Sequence, residues 1–149
     1  MTTIDKYAFM WNDKLSRVNY LGTIDEWVSI NFASGSSNPI NRGAGLYIDS
    51  VLQEKIIINA SEIKDYAFYG YKYLKEVIMG DNVLTISVSS FIDCDNFTSA
   101  TFKNTEGWYA MASSTSTSGT SISSSILSNP FTAATYLLEG GYCYIMKRS

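Results

Sequence analysis

Residues 63–79 and 86–102 carry one pattern twice, 23 positions apart. Ile63/Ile86, Ala67/Ser90, Phe68/Phe91, Leu74/Phe97, Val77/Ala100 and Met79/Phe102 coincide, while the positions between them vary freely. The same frame fits a third time through Ile4, Ala8, Phe9, Leu15, Val18 and Tyr20. A period of this length means one supersecondary unit per copy, stacked so that neighbours bury each other's apolar face. The spacing of Leu74, Val77 and Met79 predicts a short strand with alternate side chains inward. The Ala67-Phe68 step predicts a tight turn whose small residue lets the coils approach. Shared offset 5 predicts that Phe9, Phe68 and Phe91 stack as one internal ladder.

Between the first and second copies the period is interrupted, so residues 21–55 are expected as an insert. Thr23 and Glu26 fit a capping box, with Ile24, Trp27 and Val28 as an apolar helical face. A Gly/Ser/Asn/Pro loop follows over 33–45, and Leu46–Leu52 reads as a hairpin turning at Asp49-Ser50. After residue 103 the repeat stops. Trp108 and Tyr109 are large enough to cover an exposed end. Of the 13 residues 113–125, 11 are Ser or Thr, which predicts a linker or solvated loop, with glycan attachment as the alternative. Asn129-Pro130 opens a helix carrying Ala133, Ala134, Leu137 and Leu138, Gly140-Gly141 ends it, and 142–147 reads as a strand. The expected organisation is a repeat domain over 1–103 and a C-terminal cap over 104–149 that folds back on the final repeat or packs against a partner.

Charge and composition exclude several function classes. With 17% charged residues and a net charge of −3 the chain has no clustered basic face for nucleic acid. No apolar run approaches the roughly 20 residues of a membrane span. Histidine is absent, which removes the commonest general base, most nucleophile-activating pairs and most zinc sites. The first residues lack a basic region followed by an apolar stretch, so no signal peptide is expected. On that basis the chain stays inside, leaves by another route, or is part of something longer.

The remaining candidates for chemistry have plainer readings. Cys94 and Cys143 could pair, but the inward slot of Cys94 favours a buried free thiol. Asp93, Asp95 and Asn96 lack the length, Gly and Glu of a calcium loop and read as turn residues. Gly43-Ala44-Gly45 precedes a strand and fails as a dinucleotide fingerprint. Gly119–Ser123 fails as a nucleophile elbow. Asn59 and Asn96 head short glycosylation sequons. Asp25/Glu26 and Asp93/Asp95 are the compact carboxylate pairs a glycosidase would need, and all four read better as cap or turn residues. No catalytic residue, metal or cofactor is expected.

The slots filled by Ile86, Ser90, Phe91, Cys94, Phe97, Ala100 and Phe102, and by Ile63, Ala67, Phe68, Tyr71, Leu74, Val77 and Met79, resemble the BspA-type leucine-rich repeat. Gly22–Trp27, Asn38-Pro39 and Leu46–Ile48 are similar to helix-and-hairpin modules found between such repeats. The resemblance implies a β-rich solenoid of about 23 residues per repeat, with a helix-hairpin insert and a small α/β C-terminal cap. It also implies binding and not catalysis, on microbial cell surfaces or in bacteriophage particles. Partners would then be protein or glycan on a host or partner surface, or other subunits of an assembly. Two outward rows are candidate binding surface: Met10, Tyr69 and Ile92 with Tyr73, and the strand row Asn19, Ile78 and Thr101. An outward aromatic and aliphatic row suits sugars or proteins; the alternative is packing against the insert or tail. The expected location is extracellular, on a cell surface or on a virion, and the competing class is a structural component of a phage particle.

Overall fold

Like strands from successive units pair in parallel, so the chain builds two sets of rungs joined by tight corners. The structure is a computed structural model that describes residues 3–87, 89–113, 115–139 and 144–147. In chain order it runs β1 (Thr3–Ile4), β2 (Arg17–Tyr20), α1 (Ile24–Trp27), β3 (Asn31–Phe32), β4 (Gly45–Ile48), β5 (Val51–Leu52) and β6 (Lys55–Ile58). It continues through β7 (Glu62–Ile63), β8 (Glu76–Met79), β9 (Thr85–Ile86), β10 (Ser99–Phe102), β11 (Trp108–Met111) and β12 (Gly119–Ser121). Helices α2 (Ser124–Leu127) and α3 (Pro130–Glu139) and strand β13 (Tyr144–Lys147) complete it. The long rungs form two sheets, β6-β8-β10 in parallel and β2-β4 in parallel with β5 added antiparallel. The short rungs pair as β1-β3 and β7-β9.

The corners show that all three expected copies share one backbone path. Left-handed residues fall at Tyr7 and Trp11, at Tyr66 and Gly70, and at Ser89 and Asp93. Each pair lies three and seven positions after Ile4, Ile63 or Ile86. A non-glycine residue in this region costs about 1–2 kcal/mol, so the corner is held by its surroundings. Gly70 has the freest choice of φ, and a Cβ there would also run into Asn41.

The interrupted stretch carries a rung of its own. β3 pairs with β1 (Ile4↔Phe32) and β4 pairs with β2 (Val18↔Leu46, Tyr20↔Ile48). Phe32 to Ile48 spans 16 positions, as do Ile4 to Tyr20 and Ile63 to Met79. Ser36-Ser37 stands where Ala-Phe stands elsewhere, Ile40 fills the Tyr71/Cys94 slot, and Gly43 replaces Leu. The helix and hairpin read from the sequence are local facts within this stretch: Thr23 and Glu26 make a reciprocal capping box, and the β4–β5 hairpin turns at Asp49 and Ser50, both left-handed.

Inward residues at the expected offsets make one core through Leu46, Ile58, Phe68, Leu74, Val77, Phe91, Phe97 and Ala100. Phe68 and Phe91 stack, with centroids 5.7 Å apart and planes 16° apart. Phe9 does not join them. It is half-buried, and no ring contact links it to Phe68 among the described residues. The intervening coil has buried Ser37 at that offset, so the ladder loses a ring there. On that side Trp27 is buried against the next unit, its indole N–H donating to the Ala67 carbonyl at 2.8 Å. Tyr71 ties the segment before β8 to β4 and to the β5–β6 connection. Its hydroxyl donates to the Gln53 carbonyl at 2.8 Å and accepts from the Leu46 N–H at 3.1 Å.

The tail packs back onto the stack. α3 lies against β10, burying Ala133, Ala134 and Leu137 with Leu138 half-buried. Asn129 caps it, accepting from Phe131 and Thr132 N–H. Trp108 meets Phe102 edge-on at 5.3 Å. β13 runs antiparallel between β11 and β9, joining the tail to the short rungs. The Ser/Thr stretch differs from the expected linker or solvated loop. Its 119–121 portion is strand β12 on β11, Ile122 is buried, and Ser123 caps α2. Short hydroxyl side chains suit exposed edge strands and caps, and backbone bonds to β11 supply the order that composition does not. Gly140-Gly141 and Cys143 lie outside the described residues.

Candidate functional site

The residues expected to form an outward surface fall in several places. Met10 is exposed at the first corner. Tyr69 is half-buried, edge-on to Tyr66 at 5.7 Å and directly over Gly35, so part of its ring packs on the stretch 21–55. Tyr73 is half-buried beside Tyr71, with the Lys72 ammonium 5.0 Å from its ring centroid. Ile92 lines a cleft of ≈ 470 Å³ with Asp93, Asp95, Leu138 and Glu139. Ile78 and Thr101 sit side by side on the outer face of β6-β8-β10, continued by Ile57, which is 54% exposed. Asn19 lies on the other long sheet, opposite Tyr47.

Several charged candidates have structural duties. Glu26 belongs to the capping box. The Asp25 carboxylate accepts from the Asn59 and Ala60 N–H groups at 2.8 and 3.0 Å. Asp93 occupies a left-handed corner, and the Asn96 side-chain amide donates to the Lys72 carbonyl at 2.6 Å. Cys94 is a buried free thiol that donates to the Phe68 carbonyl at 3.0 Å. Burial pushes it up to about 12, with Asp93 and Asp95 adding in the same direction. The Tyr71 phenol is raised too, chiefly by burial. Neither group ionises near neutral pH, so neither serves as a nucleophile or base there.

Of the most organised outward group, only Asn19 is among the residues expected from sequence. β2 and β4 place Arg17 and Asn19 on the same face as Tyr47. The Arg17 guanidinium lies over the Tyr47 ring, 3.6 Å from its centroid. Its Nε–H donates to Asn19 Oδ1 at 2.8 Å. Gly45, opposite Arg17, leaves room for this: a Cβ there would meet the Tyr47 ring at 3.0 Å. With Tyr20, Leu21, Asp49 and Ser50 these residues line a cleft of ≈ 510 Å³. The Tyr20 phenol is raised by burial and by Glu26, so it stays a neutral hydroxyl. The sequence signal that reveals the group is the 16-residue frame from Phe32 to Ile48, which puts Tyr47 in the outward row with Asn19.

No helix among the described residues is long and apolar enough to cross a membrane. Comparison with known proteins gives one family match, to the BspA type leucine rich repeat region (6 copies), over residues 45–135. Searches of curated proteins and of solved structures return no significant match. The matched span exceeds half of the chain and contains the rungs β4, β6, β8 and β10 that carry the pattern. From the 23-residue frame, the parallel rungs and this match together, the chain belongs to the BspA-type leucine-rich repeat family.

Proposed function

We propose that the chain is a non-enzymatic recognition module, displayed on a cell surface or a virion, that binds protein or glycan through the outer face of β2-β4. The observation carrying this is the Arg17–Asn19–Tyr47 group. A cation, an amide and an aromatic ring are locked together on an outward face, where they add little to the core. Exposed side chains held in one geometry lose less entropy on binding, which is how pre-organisation raises affinity. Binding of the 149-residue chain to immobilised glycan and surface-protein panels tests the reading. Tyr47→Ala is expected to lower the response at least about tenfold, the effect of a typical recognition anchor, with circular dichroism unchanged. A panel without any binder, or binders indifferent to Tyr47→Ala, defeats it.

A second reading, assembly into a larger particle, is favoured by the first unit. Tyr7, Trp11 and Leu21 are 63%, 79% and 100% exposed there. Among the described residues β1 and β2 each have a strand on one side only. Exposed apolar side chains beside free strand edges suit another subunit.

A further inference from the structure

The Arg17 guanidinium is fixed on two sides, by the Tyr47 ring beneath and by Asn19 at Nε. Its two terminal nitrogens have no protein partner among the described residues. That leaves the planar fork which pairs with a carboxylate through two parallel hydrogen bonds. The rest of the cleft has a different chemistry. Asp49 and Ser50 stand at the hairpin tip and Asn19 beside them. No ion pair joins Asp49 to Arg17 among the described residues, so its carboxylate is available to accept from hydroxyl groups. A ligand that carries one carboxylate and several hydroxyls satisfies both ends.

We infer that this cleft takes a sugar bearing a carboxylate, such as a uronic acid unit of an acidic glycan. Arg17 grips the carboxylate, while Asn19, Asp49 and Ser50 take ring hydroxyls. A bare polyanion is disfavoured because Asp49 repels it. An acidic peptide is disfavoured because it brings apolar side chains to a cleft whose one aliphatic lining residue, Leu21, is fully exposed. This inference rests on the recognition reading above and names the ligand class of the same face.

The test is an NMR titration of the full chain, following the Arg17 Nε–Hε signal with glucuronate, glucose and acetate at constant ionic strength. Glucuronate is expected to bind at least about tenfold more tightly than glucose, the worth of one charge-assisted pair, and more tightly than acetate through its hydroxyl contacts. Arg17→Gln, with an unchanged amide spectrum elsewhere, is expected to erase the preference over glucose. Arg17→Lys keeps the charge without the fork and is expected to retain only part of it. Equal response to acetate and glucuronate, or tighter binding of an acidic peptide at this signal, overturns the inference. So does a glycan that binds the chain with Arg17→Gln unaffected, although the recognition reading then survives. Silence across glycans and proteins alike removes both.

Discussion

The thiol of Cys94 and the hydroxyl of Tyr71 occupy the same slot in successive units and do the same work. Each reaches across to a main-chain carbonyl of the preceding segment, Phe68 for the thiol and Gln53 for the phenol. In these two units the slot holds a buried donor, long in tyrosine and short in cysteine, where the 32–48 rung buries the apolar Ile40 instead. Burial raises the pKa of Cys94 from 9.0 to about 12, and the sign of the consequence is fixed. Above pH 9 the unfolded chain releases the proton while the folded chain keeps it. Stability is complete below about pH 9 and falls as pH rises toward 12, by up to about 1.4 kcal/mol per pH unit from this group. Urea melts between pH 8 and pH 11 are expected to show that decline, and Cys94→Ala to show a shallower one. Equal slopes for the two chains would mean that the thiol ionises normally in the fold.

Among the elements, the aromatic pair at offset 5 carries the clearest energetic weight. Phe68 is wholly buried and stacked on Phe91, which stacks in turn on Phe97 at 5.3 Å. Phe68→Ala is expected to cost about 3–5 kcal/mol in chemical denaturation. A double-mutant cycle with Phe91→Ala is expected to return a coupling of about 0.5–1.5 kcal/mol for the ring pair. A loss below 1 kcal/mol would show that the pair does not hold the two units together. The repeat, its strands, the capping box and helix α3 were legible because apolar spacing and cap residues act over a few neighbours. The rung in 32–48 was not, because Ser36-Ser37 and Gly43 replace the residues that mark the frame. There backbone pairing to β1 and β2, a non-local interaction, keeps the path after the side-chain signature has gone. The same replacement explains why Phe9 has no ring to stack on. The Ser/Thr strand β12 was hidden for a related reason, since its order comes from β11 and not from its own side chains. The Arg17–Tyr47 group needed the pairing of β2 with β4, which no local window contains.

For the whole molecule, the tail is the element that joins the two kinds of rung. α3 covers β10, and β13 continues the short rungs from β9 through to β11 and β12. Deleting residues 113–149 removes both covers and uncovers the apolar side of the last unit. The truncated chain is expected to form oligomers or aggregates in size-exclusion chromatography with light scattering. A monomeric product with an unchanged melting temperature would make the tail an attachment segment. The two ends of the stack are thus unlike. One carries a helix and an antiparallel strand; the other offers edges of β1 and β2 beside Tyr7 and Trp11. Association confined to the β1 and β2 edges would make the particle a chain terminator in polymer growth. Head-to-head contact between two copies consumes both sites, so self-association through that end closes at a pair and never lengthens into a fibre.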